Sequence, residues 1–332
     1  MVELGISFAL LSGVCNGLFT APMKLMPRWR WENIWLVFII VSCVVMPFLV
    51  VKTTLPDFQK VLAAAPSSAV TSALVFGFAW GFGAIFFGRS VNLLGVSLAN
   101  TLVIGVSSAL GSLVPLALAG RFGIGRQQII LYVGVGAFLC GVWVCGAAGR
   151  RRDSRPDVPD NSSWTGYLLA IGAGIMSAVF NIGYSLALPI VQAGQQQGYS
   201  SFHSTNCIWL LMLGAGSLPN IVYCLVLVRM HGTRKLFFSG NSSSCWGLSI
   251  LMGVLWGCSI FLYGAATPLL GDIGPSIGWP LSLAMGLLTA NVMGLLLREW
   301  QSVARSIVRT MALGIGMLLV AIVLCALSTK AA

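Results

Sequence analysis

The sequence predicts an all-α membrane protein of ten transmembrane helices, arranged as two inverted five-helix repeats. Two observations predict this fold. Long segments contain no Asp, Glu, Lys or Arg, and a spaced pattern of glycine and tryptophan occurs twice, about half a chain apart. Apolar segments of this length specify helices, because lipid offers no partner to an unpaired backbone group.

Composition places the chain in a membrane. Of its 332 residues, 57% are hydrophobic and only 8% are charged, whereas soluble domains carry about 25% charged residues. A spanning helix needs roughly 20 mostly apolar residues. We predict ten of them, near residues 4–23, 34–51, 69–88, 95–119, 128–148, 165–190, 203–228, 245–266, 274–297 and 307–327.

The duplicated pattern divides the chain into halves. Its first copy recurs with the same spacing in the second half, where Gly253, Trp256, Gly257 and Gly264 match Gly77, Trp80, Gly81 and Gly88. A second match lies upstream, where Ser177, Val179 and Asn181 match Ser12, Val14 and Asn16. We predict a first repeat at 1–148, a polar cytoplasmic linker at 149–164 and a second repeat at 165–332. Five spans per half invert the second repeat, as in many secondary transporters, whose binding site lies near the midplane.

The distribution of basic residues predicts the orientation. The net charge of +11 comes from 19 Lys and Arg against 8 Asp and Glu. An even number of spans puts both chain ends on one face, where only Lys52, Lys60, Arg121, Arg126 and Lys330 fall. The remaining basic residues lie on the opposite face, so the positive-inside rule places both termini on the outer, periplasmic face of the inner membrane. The basic excess therefore reports topology, and nucleic acid is not a predicted partner.

Uncharged polar and aromatic side chains predict the ligand class. Aromatic faces cover the C–H side of a sugar ring, and amides bond its hydroxyls. We therefore predict a small neutral sugar as the partner inside the bilayer. The candidate substrate-binding residues are Asn16, Trp80, Asn181, Asn206, Trp256, Tyr263, Trp279 and Asn291. For the asparagines, hydrogen bonding between helices is the alternative, and for the tryptophans and the glycine face it is plain packing.

Proton coupling needs a titratable group that both faces can reach in turn. His203, at the outer end of the seventh predicted span, and Asp272, just before the ninth, are the candidates. A polar interface residue and a helix N-cap are their respective alternatives. Glu32 is interpreted as an interfacial salt-bridge residue. The sequence has no nucleophile–base arrangement, metal-ligand cluster or phosphate loop, so we predict no enzyme and no cofactor.

Several strings carry a family resemblance: Asn16–Lys24, Trp29–Trp35, Pro47, Gly77–Gly81, Leu93–Ser97 and Leu297–Trp300. In them the chain resembles the L-rhamnose/proton symporter family of the drug/metabolite transporter superfamily, over most of its length. The resemblance implies ten helices in the inner membrane and uptake of a sugar with a proton. Trp279 matches the family in the ninth span, but the ionisable groups that the family carries there are absent, so the sugar is L-rhamnose or a related one.

Two other functions fit the same pattern. An exporter of metabolites or drugs on the same fold would differ in the direction of flux under a pH gradient. A membrane sensor without transport is the second alternative. The sequence predicts no oligomeric state.

Overall fold

The structure, a computed structural model, describes residues 1–94, 96–153, 164–239, 242–296 and 303–329. Within these residues every regular element is helical, and ten segments are long and apolar enough to cross a membrane. Numbered spans 1 to 10, they are Val2–Leu25, Trp31–Thr54, Ser67–Ser90, Ala99–Leu118, Arg126–Arg152, Trp164–Gln196, Ser201–Met230, Ser242–Leu270, Gly274–Gly294 and Arg305–Ser328. They confirm the all-α class and the ten spans. Most of the predicted linker and the string at 297–300 lie outside the described residues.

Prolines mark the points where the spans are interrupted. Span 2 consists of the helices Trp31–Ile39 and Met46–Thr54, which are joined by a π-helical turn at Ile40–Val45. Pro47 lies just after this turn, at the start of the second helix. Span 6 consists of Trp164–Ala187 and Pro189–Gln196. A proline has no N–H to donate and crowds the preceding turn, so it removes one bond of the helical ladder. Pro115, Pro219 and Pro280 remove such a bond inside helices that continue through them.

The remaining helices are mostly single rods. They are Val2–Leu18, Phe58–Ala64, Ser67–Leu94, Val96–Leu118, Arg126–Asp153, Ser201–Met230, Ser242–Ala266, Gly274–Leu296 and Arg305–Ser328. Span 8 continues into a 3-10 turn at Thr267–Leu270 and ends at Gly271, whose φ of +87° is available to glycine without strain. Span 9 then begins at Gly274, so the predicted irregular segment forms a tight link between two spans.

The spans pair in a reciprocal way. Span 1 packs most extensively on spans 8 and 9, and span 6 packs most extensively on spans 3 and 4. Span 5 pairs with span 10, and span 2 pairs with span 7. If span 1 is exchanged with span 6, span 2 with span 7 and so on, the same set of span pairs results, as an inverted repeat requires. The two-fold relation itself stays a prediction.

The duplicated glycines form helix-packing faces. A Cβ at Gly77 would lie 2.3 Å from the carbonyl oxygen of Met212 on span 7, and one at Gly81 would lie 2.4 Å from that of Gly216. In the second half, a Cβ at Gly253 would lie 2.7 Å from the Val41 side chain of span 2 and 3.2 Å from the Phe38 carbonyl oxygen, and one at Gly257 would meet the Met46 side chain. Missing side chains thus let the backbones of spans 3 and 7, and of spans 8 and 2, approach closely.

Two membrane faces follow from the span count. Both described chain ends lie on one face, which we call the terminus face. Span 5 ends and span 6 begins on the other, which we call the linker face. Spans 1, 3, 5, 7 and 9 run from the terminus face to the linker face, and the others run back. These directions locate each residue of the site along the membrane normal.

Candidate functional site

A cavity of about 210 Å³ lies between the two halves. Spans 1, 2, 3 and 4 of the first half and spans 6, 8 and 9 of the second half line it. This volume is below the roughly 300–1,000 Å³ of drug-sized ligand sites, and it suits a ligand of one ring. None of the described residues that line the cavity is charged, so the site offers nothing to compensate an ionic ligand.

Aromatic rings form one part of the wall. Trp80 and Trp256, at equivalent positions of the duplicated pattern, stack on each other with centroids 5.5 Å apart and an interplanar angle of 12°. Phe180 lies against Trp80, with ring centroids 4.9 Å apart. Tyr263, two helical turns after Trp256 on span 8, meets Trp279 edge to face with ring centroids 5.5 Å apart. Trp80 comes from span 3 and Trp256 from span 8, so the indole stack is formed by both halves together.

Serine hydroxyls form another part of the wall. Ser12 Oγ lies 2.9 Å from Ser282 Oγ and 3.1 Å from Ser259 Oγ, and all three residues are buried and line the cavity. Three hydroxyls use only two of their protons in these two bonds, which leaves a donor and several lone pairs for a ligand. Sequence reasoning missed this cluster because it looked for amides, although Ser12 heads one of the repeat matches.

A second serine pair stands at the repeat-equivalent place. Ser107 Oγ on span 4 donates to Ser177 Oγ on span 6 over 2.8 Å, just as Ser282 on span 9 meets Ser12 on span 1. The indole N–H of Trp279 donates to the carbonyl oxygen of Ser107 over 3.2 Å. Each pair joins the first span of one half to the fourth span of the other.

The structure separates the two repeat-equivalent asparagines. Asn16 is half-buried and lines the cavity. Asn181 is fully buried and is not among the lining residues. Its Nδ2 donates to the carbonyl oxygens of Gly111 over 2.7 Å and Pro275 over 3.1 Å, while Tyr263 donates its hydroxyl to Asn181 Oδ1. The Asn181 amide thus bonds other protein groups and does not face the cavity.

A buried polar and aromatic layer closes the cavity toward the terminus face. Tyr184 bonds Thr267 through the two hydroxyls and stacks on Trp209, with centroids 4.6 Å apart at 7°. Together with Asn181 these side chains are almost completely buried. On the other side, the lining residues Asn16 and Phe87 are half-exposed and lie nearer the linker face.

Four of the predicted site residues lie away from the cavity. Asn206 is buried on span 7 and donates to Thr54 Oγ1 over 3.4 Å, and Asn291 donates to Leu287 O of its own helix over 2.9 Å. His203 lies in the first turn of span 7, where its backbone N–H is capped by Ser200. Asp272 is exposed and pairs with Arg121 over 2.9 Å. The structure therefore brings together Asn16, Trp80, Trp256, Tyr263 and Trp279, and leaves these four and Asn181 outside the cavity.

A buried carboxylate lies at the linker face. Glu32, in the first turn of span 2, is 3% exposed and is the only charged side chain of the described residues to be buried. His231 Nδ1 lies 2.9 Å from its Oε1, and the Thr233 hydroxyl donates to the same oxygen over 3.2 Å. Asn33 and Trp29 add bonds to the carbonyl oxygens of Thr233 and Leu236. This clamp joins span 2 to the segment 231–236 through a partner that sequence spacing does not reveal. Arg30 Nε also lies 3.9 Å from Glu32 Oε1, which is the ion pair that the salt-bridge interpretation expects.

Ten spans around an uncharged central cavity define a membrane transporter of the polytopic helical class. The family model described as "L-rhamnose-proton symport protein (RhaT)" matches residues 1–331, and the chain belongs to this family. It is thus an integral membrane protein, and membership of a symporter family confirms a transporter in place of an enzyme.

Similar proteins match along almost the whole chain. The chain is 27% identical over 335 residues to the L-rhamnose-proton symporter of Cronobacter sakazakii, with 96% of each chain covered. It is 27% identical over 337 residues to that of Klebsiella pneumoniae, again with 96% of each covered. For the symporter of Yersinia pestis the identity is 26% over 328 residues, covering 94% of each chain. One solved crystal structure aligns with a TM-score of 0.59 at 14% identity, over 97% of both chains, and supports the fold alone.

Proposed function

We propose that this protein imports a neutral monosaccharide, L-rhamnose or a related sugar, together with a proton. The observation that carries the proposal is the cavity between the halves, which is uncharged along its described lining and combines aromatic rings with hydroxyls. A sugar ring has an apolar C–H face and polar edges, and such a wall complements both. The relatives named L-rhamnose-proton symporters support the same substrate and coupling ion.

Each wall has a role in binding. The Trp80–Trp256 stack and Tyr263 would cover the apolar face of the ring. The hydroxyls of Ser12, Ser259 and Ser282 would bond adjacent sugar hydroxyls, because they already form a row of hydrogen-bonding groups. Asn16 would add an amide from the linker side, and Trp279 would close the wall beyond Tyr263.

The transport mechanism is alternating access by rocking of the two halves around this cavity. The structure corresponds to the conformation closed at the terminus face, because the layer around Tyr184 and Trp209 separates the cavity from that face. We place the protein in the inner membrane with both termini periplasmic, since the basic residues concentrate on the linker face. The cavity of this conformation would then face the cytoplasm.

Four residues are candidates for the proton. His203 and Asp272 lie at the terminus face, where periplasmic protons would reach them first. Glu32 and His231 lie at the linker face and form the buried carboxylate–imidazole pair. A buried carboxylate held by an imidazole is the arrangement in which gaining or losing a proton changes a contact between the halves.

The test is uptake of labelled L-rhamnose into proteoliposomes, with and without an inward proton gradient. Uptake that rises with the gradient is the expected result. An absence of uptake by protein shown to be folded would reject this sugar, and a panel of other monosaccharides in the same assay would then identify the one transported. Gradient-independent uptake would reject the proton as the coupling ion.

A further inference from the structure

The two halves contain the same packing unit, in two different hydrogen-bonded states. In span 6, Asn181 follows Ser177 by one helical turn, and in span 4, Gly111 follows Ser107 by one turn. In span 1, Asn16 follows Ser12 by one turn, and in span 9, Gly286 follows Ser282 by one turn. Each serine–asparagine turn packs on a serine–glycine turn of the other half.

At the unit of spans 6 and 4 the amide is engaged. Asn181 Nδ2 donates to Gly111 O over 2.7 Å. Pro115 lies one turn further along span 4 and has no N–H, so the Gly111 carbonyl lacks its helical donor and is free to accept this bond. Asn181 also holds Pro275 O and receives the Tyr263 hydroxyl, which ties spans 8 and 9 to the same point.

At the unit of spans 1 and 9 the amide is not engaged. No hydrogen bond reaches the Asn16 amide from any residue that the structure describes. Its Nδ2 would lie 3.5 Å from a Cβ placed on Gly286, so the amide already rests beside the residue equivalent to Gly111. The Gly286 carbonyl faces span 1, because a Cβ at Gly17, the residue after Asn16, would lie 2.5 Å from it.

We propose that Asn181 and Asn16 are alternating latches of the transport cycle: Asn181 holds the terminus face closed, and Asn16 bonds the Gly286 carbonyl when the linker face closes in its place. The assignment rests on the proposed transport function. The reciprocal pairing of the spans supports this assignment. When two inverted repeats exchange conformations, equivalent residues of the two repeats also exchange their contacts.

The two latches differ in strength. Ala290, one turn after Gly286, keeps its N–H, so the Gly286 carbonyl retains a helical partner and offers Asn16 only its second lone pair. The Gly111 carbonyl offers Asn181 an unused acceptor. The terminus-face latch is therefore the stronger, which accounts for the closed terminus face in the resting protein.

Hydrogen–deuterium exchange of the purified protein in lipid nanodiscs tests the latches without any sugar. Asn181→Ala should raise exchange at the terminus-face ends of spans 8 and 9, residues 263–279, by about tenfold or more, because it removes the bonds to Gly111 O, Pro275 O and the Tyr263 hydroxyl. It should lower exchange at the linker-face ends of spans 1 and 9. A purely structural role would raise exchange at both faces. Asn291→Ala is the matched control, since that amide bonds only its own helix, and it should change neither face.

Two further variants keep the test decisive. Pro115→Ala gives the Gly111 carbonyl a helical donor that competes with Asn181, in a substitution that favours helix, and should raise terminus-face exchange in the same direction but less. Asn16→Ala should leave exchange in the resting protein at its wild-type level and slow turnover at saturating sugar.

Unchanged terminus-face exchange in both Asn181→Ala and Pro115→Ala would overturn the proposal. Equal effects of Asn16→Ala and Asn181→Ala at that face would overturn it as well. If the exchange results hold while the wild type transports no L-rhamnose, the latches stand and the substrate assignment falls.

Discussion

The indoles of Trp80 and Trp256 stack at 5.5 Å across the interface between the two halves. One face of each ring is covered by the other ring, so the pair cannot clasp a sugar between its members. A ligand in the cavity instead meets the pair from outside, as one double aromatic platform. Because the two tryptophans come from equivalent positions of the repeat, neither half supplies this platform alone.

Replacing Trp80 or Trp256 by Leu should raise the KM for the sugar by about two- to tenfold. The reason is the loss of an aromatic contact worth about 0.5–1.5 kcal/mol beyond its buried area. Initial rates of labelled uptake across a range of sugar concentrations would measure it. Trp143, which is 67% exposed on span 5, offers the control, and Trp143→Leu should leave the KM unchanged. A wild-type KM in both platform variants would remove the stack from the site.

Ser12→Ala should weaken sugar binding about two- to tenfold, since one hydrogen bond contributes about 0.5–1.5 kcal/mol. The variant removes the hydroxyl that bridges Ser259 and Ser282. Equilibrium binding of labelled sugar to the purified protein is the measurement. Ser7, on the same helix, bonds only the Glu3 carbonyl and is exposed, so Ser7→Ala should bind normally. Equal affinities for the two variants would contradict a hydroxyl wall.

Glu32→Gln should lower the free energy of unfolding by about 1.5–3 kcal/mol, the range for hydrogen bonds to a charged group. It should also flatten the dependence of uptake on linker-side pH, because it removes the carboxylate that His231 contacts across the two halves. Proteoliposomes with buffered interiors give the profile, and thermal unfolding gives the stability.

Asp57 provides the contrast for Glu32. It is an exposed carboxylate at the terminus face, where the hydrogen bond from Lys60 lowers its pKa. Asp57→Asn should keep both the wild-type stability and the wild-type pH profile. A sloping profile in Glu32→Gln identical to that of the wild type would assign the pH response to another group.

Gly77→Ala should destabilise the fold by about 1–3 kcal/mol, the usual effect of overpacking. Its new methyl would lie 2.3 Å from the Met212 carbonyl oxygen, and backbone cannot move aside as a flexible side chain can. Gly88→Ala, on the same helix, meets no atom within 4 Å and should be neutral or stabilising. Thermal unfolding in detergent separates the two. An equal effect at both positions would mean that helix propensity, and not close packing, decides.

The spans could be predicted from the sequence because a lipid bilayer requires a certain length and apolarity of each of them. The repeat was accessible because glycines in close helix contacts tolerate few replacements, and Gly77 and Gly253 record the same kind of contact in two places. Trp80, Trp256 and Asn16 lay in or beside that pattern, and all three line the cavity.

The rest of the site depended on contacts far apart in the chain. Asn16 and Asn181 match in sequence, but Pro115 frees a carbonyl for one of them and has no counterpart beside the other. The serines of the cavity wall looked like small helix-packing residues, and only the meeting of Ser12 with spans 8 and 9 turns them into a polar surface. His231 reaches Glu32 from a separate segment, which no local spacing encodes.

The π-helical turn at Ile40–Val45 has a mechanical consequence for span 2. It divides the span into a linker-side rod, which carries Trp35 and Phe38 on the cavity wall, and a terminus-side rod that starts beside Gly257. Turns of this kind are where helices bend sharply and often mark functional sites. Span 2 can therefore bend at this turn, so that the linker-side rod carries the aromatic wall and the Glu32 carboxylate together while the terminus-side rod stays packed on span 7.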